Sequence, residues 1–401
     1  MTRRRAVVVG AGIGGLAAAV ALHHRGWDVT VCERATAPSA VGAGIVLAPN
    51  ALRAFDTIGF NTIGFDAARA TGHATPAAMD LRRSGGRLLS RADGAALTAR
   101  YGRPPLAVHR TALAAALAAA LPEGTLRYGT TVTAVDDADG TDGTDRADGR
   151  PVVHTSAGAL TAEPLTADVV IAADGIHSPI RRQYFPAHPG LHYSGETAWR
   201  TVLAAGGPPV PAAAETWGRG ERFGVVPLAD GRVYLYATAV VPESYRPADV
   251  RAELLRRYGT WHDPIPALLE RIDPAAVLQH DLYDLAAPLP VFHRGRLAWL
   301  GDAAHAMTPN LGQGGCQAVE DAAVLAHLLD GADVPAALAA YSAARCARTD
   351  ALRVRSRRAG RVAALTHPLA VAARDLAVRA TPARAARRAL DDLFDGFALP
   401  H

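Results

Sequence analysis

Apolar residues fall in short dense blocks along this chain, and the first blocks set the pattern. Residues 5–9 and 28–32 are β-branched runs bounded by polar or turn residues, which predicts two buried strands. Between them, residues 14–25 are alanine-rich and free of breakers, which predicts a helix and therefore a strand–helix–strand unit. Further on, residues 112–121 are predicted helical and residues 132–135 and 152–155 are predicted strands. The Asp/Gly-rich stretch 136–150 between those strands is expected to be a hairpin loop without chemistry.

The texture changes over residues 193–241, where short strands such as 222–227 and 232–238 are joined at Ala229-Asp230-Gly231, a hairpin-type turn signal. A second, antiparallel unit is expected there. Period-two alternation puts Tyr234 and Tyr236 on one face of strand 232–238 and Val233 and Leu235 on the other. Residues 291–300 return to a buried-strand pattern ending at Gly301-Asp302, and residues 317–329 predict a strong helix, so the chain revisits its first unit. Beyond Val334 it is helical and arginine-rich, with Arg345, Arg348, Arg353, Arg355, Arg357 and Arg358 spread around the helix as a solvated or salt-bridged face.

Composition narrows the chemistry. The 401 residues are 49% hydrophobic and 20% charged, enough for two cores and far from a disordered or collagenous usage. The net charge is +4, yet the chain has no lysine, so every fixed side-chain cation is an arginine. That excludes lysine Schiff-base chemistry, a P-loop lysine and lysine-dependent halogenation. Cys32, Cys316 and Cys346 form no CxxC pair, which fits a reducing cytoplasm. The opening MTRRR and the apolar run after it imitate a signal peptide, but the glycines and the second strand favour the strand–turn–helix reading. No other apolar run approaches the roughly 20 residues a membrane span needs.

The stretch Gly10-Ala11-Gly12-Ile13-Gly14-Gly15 supplies GxGxxG between a predicted strand and helix, with Gly10, Gly12, Gly14 and Gly15 leaving backbone free to approach a pyrophosphate. Glu33, beside Arg34, ends the second strand about 20 residues on, where a carboxylate can accept the ribose hydroxyls of an adenine nucleotide. A glycine turn followed by an exposed glutamate explains neither the spacing nor the strand before it.

Two further stretches decide the dinucleotide. DVVIAADGIHSPIRR, residues 168–182, and WLGDAAHAMTPNLGQGGCQ, residues 299–317, resemble the Asp-Gly and Gly-Asp motifs of the FAD-dependent aromatic hydroxylases, a family that includes salicylate, urate and zeaxanthin-type monooxygenases. The resemblance spans nearly the whole chain. It implies an α/β fold with a Rossmann-like FAD-binding domain of the glutathione-reductase type, an antiparallel-sheet substrate domain and C-terminal helices. The expected division is residues 1–75, 100–183 and 285–330 for the FAD-binding domain, 76–99 and 184–284 for the substrate domain, and 331–401 for the helical segment.

The same resemblance gives Asp174 a role toward FAD and the incoming nicotinamide cofactor, and Asp302 a contact with the FAD ribityl chain. It places Arg110 on the FAD, Ala43 and Gly44 of Gly42-Ala43-Gly44-Ile45 along the flavin, and the Val132 backbone at the adenine. From the residues themselves, Gly312, Gln313, Gly314 and Gly315 bring bare backbone N–H groups to a helix start, whose partial positive charge would favour an anionic reduced flavin. Asn50 could instead cap the helix that follows it, and His305 reads as structural.

On the substrate side Arg200 and Tyr234 are pocket candidates. Trp199, Trp217-Gly218-Arg219-Gly220 and Phe223 could contact a planar or anionic substrate or simply pack, and Glu196 beside them leaves the substrate charge open. Pro309, in the Met307-Thr308-Pro309 turn, is expected beside the oxygen-transferring centre. The implied activity is monooxygenation of an aromatic or other electron-rich small molecule with NADPH or NADH and O2, through a flavin C4a-hydroperoxide, by a monomer or homodimer with no metal, nucleic-acid partner or membrane span. A reductase or dehydrogenase without oxygen insertion and a noncatalytic flavin-binding protein remain the alternatives.

Overall fold

The strand Arg5–Val9 can be apolar on both faces because it lies inside a parallel sheet, between Asp28–Cys32 and Val169–Ala172, with Val8 opposite Val31 and Ile171. A computed structural model describes residues 3–38, 42–60, 73–74, 78–136, 149–157, 160–161, 164–228 and 230–400. Residues 137–148 of the loop expected at 136–150, and Ala229 of the expected hairpin turn, lie outside the described residues. The sheet continues through Leu297–Trp299 to His293–Arg294 at one edge and to Leu126–Arg127 at the other. The predicted strand 291–300 is thus two short antiparallel strands turning at Gly295, whose φ of 47° lies in the left-handed region.

Helix Ile13–His24 covers one face of this sheet and helix Gly314–Leu328 packs against it. Their close approach needs Gly14, where a Cβ would lie 2.7 Å from Leu300 Cδ2 and 3.0 Å from Ala318 Cβ. The second helix starts at Gly314, ahead of the predicted residue 317, so its glycines form the first turn rather than a preceding loop.

The second sheet has seven strands in the order Leu278–Leu285, Leu191–Leu203, Val233–Val240, Glu221–Pro227, Ala213–Trp217, Ala78–Arg83 and Leu88–Asp93. Neighbours are antiparallel except Ala213–Trp217 with Ala78–Arg83, which run parallel. Its outer face, with Trp199, Phe223, Val233 and Leu235, packs on Leu254, Tyr258 and Trp261 around helix Val250–Tyr258. Its inner face, with Ala213, Val226 and Tyr234, packs on Ala107 and on Ala43 and Val46 of the first unit. Helices Val334–Ala363, Pro368–Ala380 and Ala383–Phe394 end the chain.

Candidate active site

The turn after the first strand is held by two glycines that the chain itself requires. Gly10 has φ +102°, and a Cβ there would lie 2.5 Å from the Ala173 carbonyl oxygen, while one at Gly15 would lie 2.0 Å from the Gly10 oxygen. Gly12 differs. Its φ of −70° and ψ of 174° suit any residue, and a Cβ would meet no protein atom within 4 Å. Neither packing nor backbone explains a glycine there, whereas space for a group at the N-terminus of helix Ile13–His24 does. Glu33 comes back to this turn, accepting from the Ala11 N–H at 2.8 Å with Oε2 and from the Ala35 N–H at 2.8 Å with Oε1. Arg34 is exposed, and Val132 is buried on strand Thr130–Asp136.

Asp174 begins where strand Val169–Ala172 ends. Its Oδ2 accepts from Ser178 Oγ at 2.8 Å, whereas Oδ1 is buried with no partner among the described residues. Burial raises the carboxyl above its ordinary range, opposed by the Ser178 bond. Arg181, which the sequence did not single out, donates to the carbonyls of Asp302 at 3.3 Å and Ala303 at 2.9 Å, so the two motifs are tied together. The signal for it was present as an arginine six residues after Gly175 of the aspartate–glycine turn, but spacing alone names no acceptor. Outside this junction Ile176, His177, Arg181, Arg182 and His188 line a concavity.

Asp302 is exposed at the start of the short helix Asp302–His305, and a Cβ at Gly314 would come 3.8 Å from its Oδ1. Gly312 sits at φ 62° as the chain leaves the turn Pro309–Leu311, again with nothing within 4 Å of a Cβ. Gly315 is small because Ile45 Cδ1 would lie 2.7 Å from its Cβ. Gly44 is small because of Tyr234, whose ring would lie 2.5 Å from a Cβ. No acidic residue occupies the first turn of helix Gly314–Leu328, so its positive end is not neutralised from within that turn.

Beneath these glycines lies a buried polar network. Gln313 turns its side chain inward, where Oε1 accepts from Asn50 at 3.0 Å and Gln317 at 3.2 Å, so only its backbone faces the site. Asn50 also donates to Glu320 at 2.7 Å, inside helix Pro49–Thr57; it does not cap that helix, whose cap is Ala48. Glu320 and Asp321, both fully buried, are neutralised by Arg345 at 2.7 and 2.6 Å, and His305 meets Asp321 at 2.6 Å. Arg345 is 2% exposed, so of the solvated or salt-bridged arginine face expected here it takes the salt-bridged form, buried between the helices. An acid pair inside an otherwise apolar helix was the overlooked signal, because buried carboxylates demand a cation.

Across the inner face of the second sheet, Arg200, Tyr236, Gly224 and Glu215 stand opposite one another on four successive strands. A Cβ at Gly224 would lie 2.0 Å from the Tyr236 ring, so the ring lies against bare backbone and its hydroxyl donates to Glu215 at 2.5 Å. Trp217 Nε1 donates to the other carboxylate oxygen, also at 2.5 Å. Arg222 pairs with Glu196 at 2.8 Å in full burial and donates to Asn310 at 2.7 Å, which pins the sheet to the turn carrying the exposed Pro309. The Glu196 charge is therefore spent within the protein. Burial raises the Tyr234 hydroxyl, Arg200 beside it opposes that shift, and Arg110 acts in the same sense. Burial, Arg200 and Arg110 all lower His280, so these four residues gather at one end of the face. Trp199 and Phe223 point to the outer core and cannot line it.

Among the described residues no group of three or more His, Cys, Asp or Glu side chains could hold a metal, and no helix is long and apolar enough to cross a membrane. The family model described as "FAD binding domain" matches residues 3–356. The chain is 38% identical to the aurachin C monooxygenase/isomerase of Stigmatella aurantiaca, over 89% of this chain and 88% of that protein. It is 34% identical to the 2-heptyl-3-hydroxy-4(1H)-quinolone synthase of Pseudomonas aeruginosa, over 97% of each. Among solved structures, Klebsiella pneumoniae HpxO complexed with FAD and uric acid superposes with a TM-score of 0.88 at 28% identity, covering 99% of this chain and 98% of that one.

Proposed function

The chain belongs to the family of FAD-dependent aromatic hydroxylases, and from that premise we propose that it monooxygenates a planar, electron-rich aromatic heterocycle with NADPH or NADH and O2. The observation that carries this reading is the pair of unfilled glycine positions, Gly12 and Gly312, where neither the chain's packing nor, at Gly12, its backbone calls for a missing side chain. With the unpartnered Oδ1 of Asp174 they form a donor and acceptor set that fits a dinucleotide.

The division of labour follows from the residues. The backbone at Gly10 to Gly15 and the helix behind it would hold the pyrophosphate, with Glu33 toward the adenosine ribose and Asp302 toward the ribityl chain. When bound, FAD supplies the transfer of reducing equivalents to O2 and the delivery of one oxygen atom to the substrate. The N-terminus of helix Gly314–Leu328 would favour negative charge on the facing edge of the ring. With a single dinucleotide fingerprint in the chain, the nicotinamide cofactor would visit rather than reside, and Arg181 and Arg182 beside Asp174 offer cations for its phosphates.

The seven-stranded sheet would roof the reaction space. Its two ends are pinned to the first unit by Tyr234 and by the Arg222–Asn310 bond, which leaves the row Arg200, Tyr236 and Glu215 between them. A tyrosine ring lying flat over Gly224 suits stacking against a planar substrate. Arg200 offers a donor fork to a carbonyl or enolate oxygen, and Glu215 an acceptor to a ring N–H. The relatives named for quinolones and for urate, both N-heteroaromatic, fit that pattern.

The test is to purify the yellow protein and present it with 4-quinolones, urate and hydroxypyridines. Substrate-dependent NAD(P)H consumption with a product heavier by one oxygen atom is expected. Consumption that yields only hydrogen peroxide with every substrate would reject oxygenation in favour of a reductase.

A further inference from the structure

Residues 331–401 hold twelve arginines and six aspartates, a net of +6, while the remaining 330 residues carry 4 − 6 = −2. Half of these arginines are neutralised by named partners: Arg345 and Arg348 by Glu320, Arg353 by Asp350, Arg355 by Asp392, Arg357 by Asp284 and Arg374 by Asp375. The acids are used up as well, since Asp333 caps a helix, Asp391 pairs with Arg100 and Asp395 with Arg53. The other six, Arg358, Arg361, Arg379, Arg384, Arg387 and Arg388, are all exposed, with no carboxylate in salt-bridge range among the described residues.

Exposed apolar side chains stand on the same C-terminal helices. Leu369 is 75% exposed, Leu376 65% and Val362 47%. Leu369 and Leu376 are seven residues apart on helix Pro368–Ala380 and so share a face, while Arg374 and Asp375 of that helix are buried against Gly218 and Arg83 of the second sheet. Val362 follows Arg358 by one helical turn, and Arg379 follows Leu376 by slightly less than one. Leu88, 39% exposed, stands on the strand that contacts this helix.

Leucines exposed among unpaired guanidinium groups are matched by a surface that is anionic at its headgroups and apolar beneath them, which removes the leucines from water and pairs the cations. A second copy does not match, because a two-fold pairing of this face would bring the same cations together. Nucleic acid would take the arginines and leave the leucines in water. We propose that the face formed by helix Pro368–Ala380 and the arginines around it docks reversibly on an anionic lipid surface. The leucines enter the headgroup boundary and the arginines extend to the phosphates.

Sedimentation of the FAD-loaded protein with vesicles tests this. Binding is expected to phosphatidylcholine vesicles containing one third phosphatidylglycerol, not to pure phosphatidylcholine, and should weaken steeply as salt rises from about 0.05 to 0.5 M. Each arginine near the surface is worth about fivefold in partitioning, so R384E/R387E/R388E should lower binding by about a hundredfold or more. L369E/L376E should abolish it, and flavin absorbance should be unchanged in both variants. Equal binding to neutral vesicles, or none to anionic ones, overturns the proposal. So does light scattering that shows a dimer broken by L369E/L376E, or duplex DNA binding that this variant leaves intact while lipid binding is absent.

Discussion

Gly12 and Gly224 lack side chains for opposite reasons, and single substitutions separate them. At Gly12 the chain leaves a Cβ unopposed, so Gly12→Val should fold with the melting temperature of the FAD-stripped wild type yet fail to take up FAD. Losing two charge-assisted hydrogen bonds to the pyrophosphate costs about 3 kcal/mol or more, roughly a hundredfold or more in affinity, read as loss of the yellow absorbance and of FAD in a binding titration. A variant that stays fully loaded would show that the pyrophosphate lies elsewhere. At Gly224 the neighbour is the Tyr236 ring, 2.0 Å from where a Cβ would stand. Gly224→Ala should keep its flavin, displace that ring and raise KM for substrate while flavin reduction without substrate is unaffected. An unchanged KM would remove Tyr236 from the roof. Both glycines are legible in the sequence as letters, but their reasons are not, because the open space at one and the strand residue twelve positions from the other appear only in the folded chain.

At the scale of elements, helices Gly314–Leu328 and Val334–Ala363 are joined by charge rather than by apolar ridges alone. Arg345 meets Asp321 at 2.6 Å and Glu320 at 2.7 Å in full burial, and removing it leaves two uncompensated carboxylates. Arg345→Leu should destabilise the fold by about 3–5 kcal/mol in urea unfolding; a loss under about 1 kcal/mol would mean the carboxylates are neutral or hydrated. The same network predicts acid sensitivity. Burial would raise the Asp321 carboxyl, but His305 and Arg345 outweigh it and bring it down from 3.8 to about 2. A carboxyl depressed in the folded state stabilises the fold above its unfolded value and loses that contribution as pH falls through the folded one. Stability should therefore drop between about pH 4 and 2, with about 2 kcal/mol from this group, and Asp321→Asn should flatten that part of the profile.

The whole molecule closes a long circuit. The turn at Gly10 to Gly15 and the turn at Asp302 to Gly315 come from opposite ends of the first unit, and Arg181 ties the second of them to the segment after Asp174 by hydrogen bonds to the carbonyls of Asp302, Ala303 and Ile176. A cofactor spanning both turns binds only the folded chain. Stripping FAD should lower the melting temperature, and restoring FAD at 100 times its dissociation constant should return about 2.7 kcal/mol. Equal melting temperatures for the two forms would show that the two turns do not share one ligand.

The sequence by itself determined the strand–helix–strand start, with both strands where the β-branched runs stand, and the opposite facing of Tyr234 and Leu235, because period-two alternation and glycine turns are local properties of a chain. It also determined which two motifs come to the ends of parallel strands. Only the tertiary structure decided which face of a strand looks inward, so that Trp199 and Phe223 went to the outer core while Tyr236 and Glu215 went to the inner face. It also decided that Arg345 is buried and Arg388 is not, that Asn50 answers to Glu320 rather than to its own helix, and that residues 293–299 turn back on themselves. Those outcomes depend on a partner hundreds of residues away or on which side another layer packs, and no periodicity within a segment carries that information.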